Sequence, residues 1–139
     1  MANEVTVRNA LIIRNDNLNY SSNPTTFRAN MSGSKGAAPG AFSAGVDGTD
    51  VDLSQFSRPG FCWIQNLDDT NYVEVGIHDG STFYPLMEVQ PGEFYIFRIS
   101  RNIGVEETIP GTGTSGVVGH LCIRANTAAC NVRVDAFES

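Results

Sequence analysis

The chain predicts an all-β fold: an antiparallel β-sandwich, jelly-roll-like, with about eight or nine short strands and two long Gly-rich loops. Three observations carry this expectation. No stretch of about a dozen residues keeps apolar side chains at i, i+3, i+4 and i+7 without a Gly, Pro or β-branched interruption. Short runs alternating apolar with polar residues recur about every 8–12 positions. Clusters of Gly, Pro, Asn and Asp, the residues that favour turns, separate those runs.

The first run sets Val5 and Val7 against Glu4, Thr6 and Arg8, then becomes wholly apolar at Leu11-Ile12-Ile13. The second, 25–30, follows Pro24 and points Phe27 and Ala29 to one side. Residues 31–48, MSGSKGAAPGAFSAGVDG, are rich in Gly, Ala and Ser. Such residues bury too little side chain to fix a core position, so this segment is expected to be an extended loop or arm held by a neighbour. Val51 and Leu53 alternate with Asp50, Asp52 and Ser54 in a short strand, Arg58-Pro59-Gly60 turns, and FCWIQN (61–66) is a strong strand.

Residues 67–71, LDDTN, supply a turn in which Asp and Asn bond their own backbone. Val73, Val75 and Ile77 then alternate with Tyr72, Glu74 and His78 as a half-buried strand. Asp79-Gly80 predicts a two-residue type I′ hairpin returning through 83–89. Gln90-Pro91-Gly92-Glu93 turns again into FYIFRI (94–99), apolar on both faces and therefore expected at the centre of a sheet. A second loop covers 101–116, and the chain closes with strands over 117–125 and 130–137. The expected core residues are Phe61, Trp63, Ile64, Val75, Phe94, Phe97 and Leu121.

A length of 139 residues fits one domain, 1–139, able to bury about 70% of its unfolded surface without disulfide or metal. The net charge of −6 repels phosphate backbones and argues against direct nucleic-acid binding. Charged residues are 17% of the chain, below the usual ~25%, so much of the surface is Asn, Ser, Thr and Gly. Such a surface loses its water at little cost and suits packed assemblies. Cys62, Cys122 and Cys130 lie in apolar stretches with no CxxC spacing, as buried small hydrophobes do. The start, MANEVTVRNALIIRN, has no signal-peptide apolar run, and no stretch of ~20 apolar residues suits a membrane span. Synthesis as a soluble protein in a reducing cytoplasm is expected.

No residue pattern demands chemistry. Residues 111–116, GTGTSG, match GxGxxG, but Ile109-Pro110 before and Val117-Val118-Gly119 after are not the strand and helix that dinucleotide binding requires. Asp47, Asp50 and Asp52 fall close together, the last two on one strand face, without the later acidic residue that closes an EF-hand loop. Asp68 and Asp69 read as turn formers. His78 and His120 stand on the polar sides of their strands, with no ligand spacing and no GxSxG nucleophile nearby. Asn19-Tyr20-Ser21 and Asn30-Met31-Ser32 fit the glycosylation pattern by chance in an unsecreted chain. The expectation is a non-enzyme with no catalytic, cofactor-binding or metal residues.

Residues 48–99 hold GTDVDLSQF, then Pro59-Gly60, WIQNLDDTNYVEVGI, a hairpin and PLMEVQPGEFYIFRI. This order resembles small bacteriophage virion structural proteins, over about fifty residues of the chain. The resemblance implies a particle component, most readily a capsid decoration (cement) protein binding neighbouring capsid subunits. It implies a virion location, contacts with major capsid or tail proteins, and a homo-oligomer such as a trimer, without nucleic acid or membrane. The alternatives it leaves open are a tail or head–tail connector structural protein. A carbohydrate-binding module on a tail is a further alternative, using Tyr72, Phe83 and Tyr84 beside the 79–80 hairpin.

Overall fold

The structure, a computed structural model, describes residues 3–23, 25–107 and 117–139. Fourteen strands are present among them: β1 (Val5–Asn9), β2 (Ile12–Asn15), β3 (Leu18–Ser21), β4 (Thr25–Ala29), β5 (Gly36–Ala44), β6 (Thr49–Asp50) and β7 (Pro59–Asn66). They continue as β8 (Val73–His78), β9 (Phe83–Val89), β10 (Phe94–Arg98), β11 (Glu106–Glu107), β12 (Val117–Val118), β13 (His120–Ala125) and β14 (Cys130–Glu138). The fold is all-β and its sheets are antiparallel, as the alternating runs predict.

Two four-stranded sheets form the body, ordered β10-β7-β14-β5 and β6-β13-β8-β9. The pairings are nested. β5 pairs β14, β6 pairs β13, β7 pairs β10 and β8 pairs β9. The body is thus one long antiparallel ribbon, β5-β6-β7-β8 against β10 and β14 on one strand-set and β9 and β13 on the other. It is rolled until β7 also meets β14 and β8 also meets β13. The sheet faces that meet supply a common core: Ile64, Val132 and Val134 from one, Val73, Val75, Leu121 and Ile123 from the other, each below a tenth exposed. Burying each such side chain contributes ~1.5–3 kcal/mol before chain entropy is counted.

Local chemistry sets the turns. Asp68 Oδ1 accepts the N–H groups of Thr70 and Asn71 at 2.8 and 2.7 Å, the self-bonding expected of that turn. Gln90-Pro91-Gly92-Glu93 closes with the Glu93 N–H on the Gln90 carbonyl at 3.0 Å, and Gly92 takes the positive φ of +76° that a type II turn requires. Gly76 faces the carbonyl of Tyr84 so closely that any Cβ would collide with it. The β8–β9 register slips at that place, between Val75 and Gly76.

Four expectations are corrected. Residues 31–48 are not a loop or arm: 36–44 form β5, paired along β14 at the sheet edge. Small residues fit there because the neighbours leave little room; Ala44 is fully buried, and Gly36 lies under the Phe137 ring. Residues 94–99 are not central, since β10 is an edge strand and Phe94 is 54% exposed. Its apolar outer face stays partly exposed beside the ribbon ahead of β5 and is not sealed by a second sheet. The 79–80 hairpin has four loop residues, His78 pairing with Phe83, because the Asp79 carboxylate binds the N–H groups of Ser81 and Thr82 and widens the turn. Asp50 and Asp52 do not share a strand: β6 ends at Asp50, and Asp52 Oδ1 accepts the Ser54 N–H at 3.0 Å. Of the predicted core, Ile64, Val75 and Leu121 are buried between the sheets, whereas Phe61 is buried on the opposite face of β7. Most of the 101–116 loop lies outside the described residues.

Residues ahead of β5 form a separate element. β1 pairs β4 and β2 pairs β3, so the chain runs out and back as one antiparallel ribbon. Its root lies on the outer face of the β10-β7-β14-β5 sheet. Val7 is 5% exposed there, and Phe27 meets Phe61 with ring centroids 5.9 Å apart.

Candidate functional site

The outer half of that ribbon is an arm. All eight residues of β2 and β3 are exposed, so this hairpin folds without burying its side chains in its own body. Cross-strand register explains its chemistry. Ile13 pairs with Tyr20 and Asn15 with Leu18, which places Ile13, Leu18 and Tyr20 on one face. Leu11, two residues before Ile13, joins that face, its carbonyl accepting the Ser22 N–H at 2.8 Å. Arg14 and Asn19 pair on the other side. Leu11, Ile13, Leu18 and Tyr20 are between 39% and 57% exposed. Isolated hairpins in water are marginal. An apolar face kept out on one is a candidate contact surface.

A second apolar region adjoins the arm root. β10 pairs only with β7 among the described residues, and it leaves Phe94, Tyr95 and Ile96 exposed on a free sheet edge. Phe94 stacks on Trp63 at 4.7 Å with an interplanar angle of 15°. Between this pair and the root at Leu11 lies a groove of about 630 Å³. β9, the edge of the other sheet, adds Leu86 at 76% exposure and Tyr84 at 53%.

The polar candidates fall into strand pairs and turn carboxylates. His78 and His120 are register partners across β8 and β13, a juxtaposition between residues 42 positions apart that no local pattern reveals. Asp50 Oδ1 lies 3.7 Å from His78 Nδ1. No three His, Cys, Asp or Glu side chains among the described residues are placed to hold one metal ion. Asp50, Asp52, Phe56, Arg101, His120 and Leu121 line a cleft of about 530 Å³. The Asp52 carboxylate there is committed to the Ser54 N–H and hydroxyl, which hold it below its ordinary pKa. Asp68 and Asp79 are likewise turn carboxylates, Asp79 drawn down to about 2 by the N–H groups of Thr82 and Ser81. Burial pushes the Cys62 thiol up to about 12 and that of Cys122 to about 11, so both stay protonated and unreactive at neutral pH. The GTGTSG segment, 111–116, lies outside the described residues.

The aromatics near the 79–82 turn are divided. Phe83 sits under the Arg124 guanidinium at 4.5 Å, with Arg124 bound to Glu74 by two of its nitrogens. Tyr84, the next residue along the strand, faces the other way and directs its hydroxyl to Asp79 Oδ2 at 3.4 Å. They do not form one flat stacking platform.

Sequence reasoning named the apolar run 11–13 and expected both the N-terminal strand and 31–48 to lie against neighbours, without separating the arm from the body. The signal for the arm was the return of Leu18 and Tyr20 across Asp16-Asn17, a short turn between two apolar-bearing runs. Comparison with known proteins adds no name to this surface: no family model matches the chain, and no curated protein or solved structure matches it.

Proposed function

We propose that this chain is a structural component of a bacteriophage virion, a capsid decoration protein that binds neighbouring capsid subunits. The observation that carries the reading is the exposed arm, a β-ribbon that presents Leu11, Ile13, Leu18 and Tyr20 to solvent on one face and Ile12 on the other. The resemblance of residues 48–99 to small virion proteins points the same way. So does the nested strand order, which we read as a jelly roll, an architecture shared by viral capsid and lectin domains. The body supplies a rigid platform, and the arm, not residues 31–48, supplies the reach. Single contacts of this kind are weak, but repetition over a symmetric particle slows release through avidity. A homo-oligomer such as a trimer fits a site on a local symmetry axis.

The test is to add purified protein to particles assembled without it. Saturable binding at a fixed copy number, with density on the capsid surface by electron microscopy, is expected. An arm-face variant, Ile13→Asp with Tyr20→Asp, is expected to bind at least tenfold more weakly. Density confined to the tail would replace decoration with a tail or connector role. Absence from the particle altogether, with glycan binding through the body, would overturn the proposal in favour of a carbohydrate-binding module.

A further inference from the structure

We infer that the free edge of β10 pairs with β10 of a second copy, antiparallel about a two-fold axis at Ile96, so that two β10-β7-β14-β5 sheets join into one. The pairing concerns the chain alone in solution and goes beyond the virion reading without depending on it.

Of the four outer edges of the two large sheets, three are blunted. β5 carries Pro39 and turns Ala37 and Gly40 to positive φ. β9 carries Pro85 beside its register slip, and β6 is two residues long. Proline, bulges and shortness are devices that keep a sheet edge from pairing with another chain. β10 has none of them: its five residues run in unbroken register with β7, without Pro or Gly. Its one charge, Arg98, is drawn aside over the Phe61 ring and to the Ser139 carbonyl.

The edge fits itself. The Ile99 N–H donates to the Gly60 carbonyl at 2.8 Å, and the Glu93 carbonyl accepts the Asn66 N–H at 3.0 Å. Antiparallel ladders alternate, so 93, 95, 97 and 99 turn their main-chain groups to β7, while Phe94, Ile96 and Arg98 turn theirs outward. With Ile96 opposite its own copy, Phe94 faces Arg98 of the second copy and each outward group meets a partner. Tyr95 faces Phe97 in the same register. The charge of the strand thus meets an aromatic ring, as it already meets Phe61 at 4.1 Å. A pairing centred on Arg98 would set like charges together.

The chain has surface to give. It exposes 8829 Å², whereas a compact monomer of its 15.0 kDa exposes about 7,000 Å². The surplus of roughly 1,800 Å² exceeds the ~800 Å² that one partner contributes to a standard interface. Phe94, Tyr95 and Ile96, at 54%, 41% and 37% exposure, are part of it. A two-fold contact closes on itself, so the pair leaves neither β10 edge open.

Charge placed on the axis tests the pair and its register together. In sedimentation of the isolated protein, the wild type is expected to form a dimer. Ile96→Lys and Ile96→Glu each set like charges directly opposite and are expected to weaken pairing about tenfold or more. An equimolar mixture of the two is expected to regain the dimer as a mixed pair, a recovery that misfolded variants would not give. Amide exchange of the wild type, resolved residue by residue, needs no variant. Phe94, Ile96 and Arg98 are expected to gain protection as concentration rises, while Tyr95 and Phe97, bonded to β7, stay protected throughout. A wild type monomeric at every concentration, variants that pair as the wild type does, or a mixture that stays monomeric would each overturn the inference. A closed trimer in solution would overturn it too, and favour the arrangement named above for a local symmetry axis. Protection of 94, 96 and 98 only after particles are added would give the edge to a capsid protein and sink the pair.

Discussion

The side-chain nitrogen of Asn66 donates to the Val89 carbonyl at 3.1 Å, tying the end of β7 to the end of β9 across the two sheets. The same nitrogen donates to the Asn71 carbonyl at 2.8 Å, and Asn66 Oδ1 accepts the Asp68 N–H at 3.0 Å. Asn66 is fully buried, so three main-chain groups depend on a single amide in a place water does not reach. Replacement by alanine leaves those partners unpaired, and each buried orphan costs about 1–3 kcal/mol. Asn66→Ala is expected to lower unfolding stability by about 2–4 kcal/mol in urea titration. Asn66→Asp is expected to be at least as damaging at neutral pH, because its carboxylate faces two carbonyl oxygens. A loss below about 1 kcal/mol for the alanine variant would mean that the turn is held by other bonds.

Stability is expected to fall at both ends of the pH scale, for opposite reasons. Asp79, Asp68 and Glu138 are all held below their ordinary carboxyl pKa by donors in the folded state: Thr82 and Ser81 for Asp79, Asn71 and Thr70 for Asp68, Ser57 for Glu138. A group whose folded pKa is depressed stabilises the fold above its unfolded pKa, and that contribution is lost as pH falls through the folded value. For Asp79 the window runs from the ordinary 3.8 down to about 2. Cys62 and Cys122 behave in the other sense, their thiols raised from 9.0 to about 12 and about 11, first of all by burial. Their contribution is complete below pH 9 and drains away as pH rises, by about 1.4 kcal/mol per pH unit for each buried thiol. Asp79→Asn keeps an acceptor oxygen without a titrating proton and should flatten the acid limb; Cys62→Ala should flatten the alkaline one. Both are read from the slope of unfolding free energy against pH, not from its absolute value. Unchanged slopes would remove these groups as the cause.

What the sequence made legible follows from where the pattern meets a single buried face. Val73, Val75 and Ile77 alternate because β8 has the core on one side and polar surface on the other, and that strand reads directly. Residues 36–44 do not, because Gly36 and Ala44 fit narrow gaps beside β14 and Gly40 takes a positive φ of +88°, and small residues carry no periodic signal. Residues 94–98 mislead in the other direction. Their apolar side chains suggest burial on both faces, yet Phe94 and Ile96 look outward from a free edge. The His78–His120 pairing depends on the register of two distant strands and is invisible to any local reading. The candidate site had the same fate: Leu11 and Ile13 read as strand residues and Leu18 and Tyr20 were given no strand, and only the fold brings the four together on one exposed face.

The arm should come loose from the body without unfolding it. Its root is held to the body by Val7 and by the Phe27–Phe61 ring contact, while the N–H groups of Asn3 and Met31, donating to the Asn30 and Glu4 side chains at 2.7 and 3.3 Å, join the ribbon's two strands to each other. None of these belongs to the core between the sheets, which is built from residues of β5 onward. Burial of Val7 is worth about 1.5–3 kcal/mol, a sum that the arm alone forfeits if the root opens while the sandwich stays closed. Val7→Asp places a charge where 5% exposure leaves it little water, so detachment becomes the favoured response. Hydrogen exchange of this variant is expected to show 5–9 and 25–29 unprotected, with Val132 and Val134 in β14 and Ile64 in β7 protected as in the wild type. Limited proteolysis should then cut within the arm and leave a resistant body beginning near β5. Loss of protection in β14 in step with the arm would mean that arm and sandwich fold as one cooperative unit, and that the arm is not free to move toward a neighbour.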